Sequence, residues 1–163
     1  VHRLKNKPFN LDFVREIIEQ AAIVYNSKKS GILELGGGVP KNTAQQTGPL
    51  LDQILRKDHG GQNYIIQITD ARPDTGGLSG ATLQEGKSWG KVQDSHEDLI
   101  TVYTDSTIAF PVLALYVLAS EESREPKRIY RNLDKYYTTL QESAIKVPDK
   151  FADILKKSDI NIG

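Results

Sequence analysis

The chain contains no cysteine and no methionine among its 163 residues. Without cysteine it can form no disulfide, no thiolate nucleophile and no cysteine-based metal site. The lack of methionine, even at the first position, Val1, predicts a fragment or a processed subunit. No apolar run approaches the roughly 20 residues that span a bilayer, and no signal-peptide pattern follows the first residues. We therefore expect a cytoplasmic protein with no membrane segment.

The chain also lacks an excess of charge of either sign. Its 21 basic and 21 acidic side chains cancel, so nothing suggests the basic footprint of a nucleic-acid binder. The three histidines show no metal-ligand spacing, and no metal site is predicted. With 38% hydrophobic and 26% charged residues, the composition is that of an ordinary globular protein with one core.

Apolar runs and helical patterns alternate along the chain. Strands are predicted over 31–35, 64–69 and 100–103, and the second is apolar enough to be buried on both faces. Helical spacing predicts a helix from Leu11 to about Tyr25, with Asn10 as its N-cap. A strongly apolar segment over 107–118 suits a buried helix. This alternation predicts a mostly parallel α/β sheet flanked by helices.

The remainder, 121–163, has a different character. Apolar residues from Ile129 to Leu140 form a helical stripe on a charged background, and Pro148 interrupts the pattern. Residues 151–155 suit one or two further helical turns. We expect a division near residue 120, with 121–163 as a helical C-terminal extension.

Glycine-rich segments follow the first two predicted strands. Gly36, Gly37 and Gly38 come after the first strand, and residues 76–80 come after the second. Such glycines let the backbone approach a ligand closely, and free N–H groups at the next helix N-terminus favour an anionic group. A simple strand-to-helix turn explains these residues equally well.

A polar segment at 104–106 follows the third predicted strand. The C-terminal ends of parallel strands meet at one edge, where α/β proteins place ligands. Asp105 falls at that edge, where an aspartate can accept hydrogen bonds from ribose hydroxyls. As an isolated feature, however, such an aspartate is more often a helix cap.

Lys91 is the candidate nucleophile. A nucleophilic lysine must be uncharged, which requires desolvation or a neighbouring cation. Nearby Trp89 could supply an apolar wall and a ring face for a cationic amine, and Glu85 could hold an ammonium group. Taken alone, these residues leave Lys91 better explained as a surface lysine.

Several motifs occur together in a specific order, and Ser-Trp-Gly-Lys is the most specific of them. In this order and spacing they resemble the deoxyhypusine synthase family, over a region from about Leu11 to Leu118. The motifs are Leu35-Gly36-Gly37-Gly38-Val39-Pro40-Lys41, Ser79-Gly80-Ala81, Glu85, Ser88-Trp89-Gly90-Lys91 and Val102-Tyr103-Thr104-Asp105-Ser106.

The resemblance implies a Rossmann-like fold and a homotetramer whose active sites are shared between subunits. It implies that NAD dehydrogenates spermidine and that a lysine captures the released aminobutyl group as an imine. The acceptor in hypusine formation is a lysine of translation initiation factor 5A. Residues 1–120 would then be the C-terminal part of the NAD-binding domain. The family's N-terminal half, which supplies NAD contacts and sheet strands, has no counterpart in this chain.

The resemblance also implies roles for individual residues. Lys91 matches the imine-forming lysine. The matched or neighbouring positions of the polyamine site are Glu85, Trp89, Asn42 and Gln46. The positions assigned to NAD are Asp70, Ala71, Asp105 and Ser106, together with Gly37 and Gly38 of the triple-glycine segment.

The departures from the family pattern concern acid–base chemistry and negative charge. Asn42 stands in place of a histidine that serves proton transfer, and an amide cannot titrate there. Gln46 replaces an asparagine, while Leu78 and Thr75 replace acidic residues. The pattern resembles the prokaryotic deoxyhypusine-synthase-like branch, which is linked to homospermidine formation and agmatine hydrolysis. These reactions, or a non-catalytic subunit of a split enzyme, are the alternatives to aminobutyl transfer.

Overall fold

A three-stranded parallel sheet forms the centre of the chain in the computed structural model, which describes residues 11–93, 99–120 and 125–145. The strands are β1 (Gly31–Leu35), β2 (Tyr64–Thr69) and β3 (Leu99–Tyr103), in the order β1-β2-β3. All pairs are parallel, with Leu33 beside Ile66 and Ile66 beside Ile100. The predicted strands are confirmed, and β3 begins one residue earlier than expected.

Helices connect the strands, as the predicted α/β class requires. They are α1 (Phe13–Tyr25), α2 (Val39–Gln45), α3 (Thr47–Pro49), α4 (Leu83–Ser88), α5 (Ser106–Ala119) and α6 (Leu133–Ile145). A π-helical turn, Leu50–Ile54, continues α3, and 3-10 turns cover Pro73–Thr75, Leu78–Gly80 and Ile129–Asn132. The α/β class with a mostly parallel sheet is therefore confirmed.

The start of α1 differs from the predicted one. Asp12 caps the helix, because its carboxylate accepts a hydrogen bond of 3.0 Å from the backbone N–H of Arg15. The predicted cap, Asn10, lies outside the described residues. Both side chains suit an N-cap, and the sequence pattern alone does not distinguish them.

The apolar core has two parts. The first lies between α1, the π-helical turn and α6, and its buried residues are Ala21, Ala22, Val24, Leu51 and Leu140. The second lies against the sheet, where Ile65, Leu83 and Val92 are buried. The predicted stripe of the C-terminal segment thus packs against α1 through Leu140, while Pro148 and residues 151–155 lie outside the described part.

The expected burial of the apolar segment 107–118 is wrong for this chain. The segment is helical, as α5, but none of its residues is buried, and Leu118 is 79% exposed. One face of the sheet is also partly bare, at Leu33, Leu35, Ile100 and Val102. The apolar composition predicted a covering layer that the described residues do not supply. Among these residues no helix is long and apolar enough to cross a membrane.

Candidate active site

The backbone of Lys91 is held firmly just after α4. Its N–H donates to the carbonyl of Gly86, and its carbonyl accepts from the N–H of Gln62, each at 3.0 Å. Two glycines allow other backbone to approach this segment closely. A Cβ on Gly61 would come within 2.6 Å of the carbonyl carbon of Lys91, and a Cβ on Gly48 would come within 2.7 Å of the carbonyl oxygen of Gly90. Lys91 therefore occupies a fixed position.

The side chain of Lys91 is half-buried and reaches α2. Its Nζ donates a hydrogen bond of 2.7 Å to Oδ1 of Asn42, which is 49 residues away in sequence. Asn42 lies in the first turns of α2, directly after the triple-glycine segment. The fold thus brings together two residues that the sequence assigns to one site.

The two glycine-rich segments are in contact. A Cβ on Gly37 would lie 2.8 Å from Cα of Ser79, so only glycine permits this approach. The ammonium group of Lys41 ties α2 to the second segment by donating to the carbonyls of Ala81 at 2.8 Å and Ser79 at 3.4 Å. Both segments and Lys91 therefore belong to one region.

Buried polar side chains lie beneath these segments. Glu34 of β1 accepts a hydrogen bond of 2.6 Å on Oε1 from Nε2 of Gln45, while its Oε2 is buried with no hydrogen-bond partner among the described residues. Gln67, the neighbour of Glu34 on β2, donates to the Ser79 carbonyl at 3.1 Å. Glu34 and Lys41 are both buried.

The electrostatics link these groups to Lys91. Burial raises the pKa of Glu34, and the hydrogen bond from Gln45 and the charge of Lys41 oppose that rise. Burial lowers the pKa of Lys41, an effect that Glu34 and Glu85 oppose and Lys91 reinforces. Glu34, Lys91 and Glu85 are thus all close enough to act on the charge of Lys41.

The other residues predicted for the amine site are more exposed. Glu85 lies on α4, where its backbone N–H is capped by Thr82, and its side chain is exposed. Trp89 is 64% exposed, and Gln46 is exposed at the end of α2. Glu85 and Trp89 are close to Lys91 in the sequence, whereas Gln46 is not, and the substrate contacts of all three residues stay predictions.

A separate cavity lies at the C-terminal ends of β2 and β3. It has a volume of about 550 Å³ and is lined by Asp70, Arg72, Pro73, Tyr103 and Thr104. Asp70 is exposed, whereas the N–H of Ala71 is already engaged with Oγ1 of Thr69 at 3.1 Å. An exposed carboxylate beside a tyrosine ring suits a ribose hydroxyl and a base, so these residues fit part of a dinucleotide.

Asp105 caps α5. Its Oδ1 accepts from the N–H of Thr107 at 2.8 Å and from the hydroxyl of Thr107 at 2.7 Å. The hydroxyl and backbone hydrogen bonds from Thr107 lower the pKa of Asp105. The contacts are those of a helix cap, and the cofactor role of Asp105 and of Ser106, the first residue of α5, stays a prediction. The described residues hold no group of three acidic or histidine side chains suited to a metal ion.

Sequence reasoning missed the roles of Glu34, Lys41 and Gln45. The available signal was an acidic residue inside an otherwise apolar strand, Gly-Ile-Leu-Glu-Leu. An acidic side chain on the buried face of a strand needs a hydrogen-bond donor or an opposite charge beside it. That partner comes from α2, and the sequence pattern does not show which helix residue faces the strand.

A family model and several known proteins match most of this chain. The family model described as deoxyhypusine synthase matches residues 1–117. The chain is 42% identical over 155 residues to the deoxyhypusine synthase-like protein of Nostoc punctiforme, covering 92% of this chain and 40% of the relative. For the protein of the same name from a Cyanothece species, the identity is 45% over 137 residues, covering 78% of this chain and 34% of the relative.

An archaeal relative matches over a shorter length of this chain. The probable deoxyhypusine synthase 2 of Archaeoglobus fulgidus is 42% identical over 116 residues, covering 71% of this chain and 38% of the relative. The chain therefore spans about 40% or less of the length of the curated relatives it matches.

Proposed function

The chain belongs to the deoxyhypusine synthase family, and from this premise we propose that it carries an aminobutyl group, taken from a polyamine, as an imine on Lys91. The observation that supports the proposal is the hydrogen bond from Lys91 to Asn42 beside both glycine-rich segments. A lysine with a fixed backbone and a half-buried amine is suited to covalent catalysis. An exposed lysine would lack this placement.

The roles of the neighbouring residues follow from their charges. Lys91 must lose a proton before its amine can attack an imine carbon. Its charge and that of Lys41 lie close enough to repel each other. Glu85, which is exposed on α4, is placed to attract the ammonium groups of a polyamine. Asn42 accepts from Lys91 and so orients the amine.

NAD is the proposed cofactor, and when bound it would accept and later return a hydride. The residues that would hold it lie at the C-terminal ends of the strands. Asp70 and the cavity at the ends of β2 and β3 suit its ribose and base. The resemblance also assigns Gly37 and Gly38 to NAD, but the space at Gly37 is already occupied by the backbone of Ser79. Ala71, Asp105 and Ser106 lie beside this edge.

Trapping of the imine tests this proposal. The full chain is incubated with NAD and labelled spermidine or putrescine and is then reduced with borohydride. We expect a stable label on Lys91, detected by peptide mass spectrometry. The label should disappear in Lys91→Arg and persist in Lys87→Arg, a matched change on α4. No label with any polyamine would reject the covalent mechanism.

A second candidate is chemistry on a small molecule, either homospermidine formation or hydrolysis of agmatine. It is favoured by Asn42, which has no titratable group, and by Leu78, which is exposed where an acidic residue would bind an amine. Urea release from agmatine, without label on Lys91, would support the hydrolytic alternative. Transfer to putrescine rather than to translation initiation factor 5A would support homospermidine formation.

A third candidate is a subunit of a split enzyme. It is favoured by the bare apolar side chains of α5 and of the sheet, and by the roughly 60% of each relative that this chain does not span. Mixing the chain with the unmatched portion of the Nostoc punctiforme relative should give a complex of defined size. A stable, NAD-binding homotetramer formed by this chain alone would contradict a split enzyme.

A further inference from the structure

Glu34 and Lys41 are buried charges of opposite sign beneath the candidate site. Glu34 is 5% exposed and Lys41 is 7% exposed. Removing a charge from water is costly unless another charge or hydrogen bonds compensate it. Two such groups on adjacent elements, β1 and α2, therefore require an explanation.

One of the two carboxylate oxygens of Glu34 accepts no hydrogen bond from the described residues. Oε1 accepts from Gln45, but Oε2 is buried and has no hydrogen-bond partner among the described residues. The neighbouring amide of Gln67 does not supply one, because its Nε2 points to the carbonyls of Ser79 and Gly36. The negative charge of Glu34 is thus only partly compensated by hydrogen bonds.

Lys41 provides the opposite charge. Its Nζ donates two hydrogen bonds, to the carbonyls of Ala81 and Ser79. The ion pairs within 4.0 Å among the described residues do not include Lys41 with Glu34. Charges separated by more than 4 Å still attract strongly where water is excluded. The other charged groups that act on Lys41 are Lys91 and Glu85, and Glu34 is the strongest influence of the three.

We propose that Glu34 is the buried counter-charge of this site, a positioning residue that keeps Lys41 protonated and so holds the Ser79–Ala81 segment beside Lys91. A protonated amine donates strongly to carbonyls, whereas a neutral amine donates weakly. Lys91 lies close enough for its own positive charge to lower the pKa of Lys41, so the charges of the two lysines are coupled. The effect on Lys91 rests on the proposed function, but the coupling of Glu34 to Lys41 does not.

This role fits the charge pattern of the site. Residues 76–80 of the second glycine-rich segment contain no acidic side chain. Of the two negative charges that act on Lys41, the stronger is that of Glu34 on β1 and the weaker that of Glu85 on α4. Because Glu34 is buried, it can balance a lysine without binding the substrate amine itself. It therefore acts on the site through Lys41.

The first experiment measures the protonation of Lys41 directly, without any activity. The full chain is labelled with 13C at Cε of lysine, and the signal of Lys41 is assigned by its loss in Lys41→Arg. In Glu34→Gln, which keeps an acceptor for Gln45, the titration midpoint of Lys41 should fall by about one pH unit, a tenfold loss of proton affinity. Glu85→Gln should cause a smaller shift, and Glu19→Gln on α1 none. An unchanged midpoint in Glu34→Gln would overturn the proposal.

A second measurement guards against misfolding of the single variants. Removing one member of a buried pair leaves an uncompensated charge, whereas removing both does not. Glu34→Gln should lower Tm in the otherwise unchanged chain and raise it in the Lys41→Met background. Equal effects in the two backgrounds would overturn the coupling.

Imine trapping on Lys91 then separates the two proposals. If the coupling exists, Glu34→Gln should shift the pH profile of trapping, and restoring the charge with Glu34→Asp should reverse part of the shift. A shift of the Lys41 signal with no label on Lys91 in the unchanged chain would support the coupling and reject the proposed function.

Discussion

At the scale of single residues, the contact between Lys91 and Asn42 joins two segments that are 49 residues apart. Replacing Asn42 with leucine removes the acceptor and leaves the amine of Lys91 without its partner. We expect Asn42→Leu to slow imine trapping about tenfold, which corresponds to about 1.4 kcal/mol for the loss of one hydrogen bond. Thr43→Val, on the same helix, should trap at the original rate. Equal rates in both variants would argue against an orienting role for Asn42.

Gly37 permits the approach of the two glycine-rich segments. In Gly37→Ala the new Cβ would meet backbone atoms of Ser79 at 2.8 and 3.0 Å, so the backbone must shift. We expect a loss of about 1–3 kcal/mol in the free energy of unfolding, as for other overpacked sites. In Gly77→Ala the Cβ meets nothing within 4 Å, and stability should stay the same or rise slightly. Urea denaturation of both variants compares them.

The raised pKa of Glu34 gives the stability of the fold a defined pH dependence. Because the folded state binds this proton more tightly than the unfolded chain, the stabilisation is present below the ordinary pKa of glutamate. It is lost as the pH rises through the raised folded value. Between these limits, the free energy of unfolding should fall with pH less steeply in Glu34→Gln than in the unchanged chain. Identical slopes would mean that Glu34 does not titrate with folding.

At the scale of the elements, α6 is held to α1 by a small apolar cluster. Leu140 is 1% exposed within it. We expect Leu140→Ala to lower the free energy of unfolding by about 2–5 kcal/mol, because it leaves a cavity between the two helices. Leu118→Ala removes the same atoms from an exposed site on α5. This variant should change the free energy of unfolding by less than about 0.5 kcal/mol. Thermal unfolding followed by circular dichroism measures both.

The strands were predictable from sequence because short runs of apolar residues mark them. The apolar runs at 31–35 and 64–69 are strands over the predicted ranges, and α5 extends one residue beyond each predicted end. The burial of α5 was not predictable, since burial depends on what packs against an apolar helix. Its composition alone indicates only that it needs a cover.

The candidate site was predictable in part. Lys91 and Asn42 lie in motifs, and the structure brings them together. The buried group of Glu34, Gln45 and Lys41 was not predicted, because it depends on which residues of α2 face β1. Such pairing between elements has no periodic signature in the sequence.

At the scale of the whole molecule, the bare apolar surface is the dominant feature. Large apolar side chains of α5, among them Val112, Leu115 and Leu118, are more than half exposed. Contiguous patches of this kind mark interaction sites or promote aggregation. We expect the chain alone to self-associate with rising concentration, as measured by light scattering.

A single charge on α5 should weaken that association. Leu118→Lys places an ammonium group on the patch, whereas Gln141→Lys adds the same charge to an exposed position on α6. Only the first variant should shift the equilibrium towards the monomer, with the circular dichroism spectrum unchanged for both. If both variants shift it equally, net charge rather than the apolar patch controls the association.

The strand order β1-β2-β3 repeats the order of the strands along the chain. Among the described strands, each therefore pairs with the next one to be synthesised. Since loop closure is cheaper over short separations, the sheet can grow one strand at a time as the polypeptide leaves the ribosome. We expect this part of the protein to gain its sheet during translation, with the bare face of α5 exposed to chaperones until a covering layer arrives.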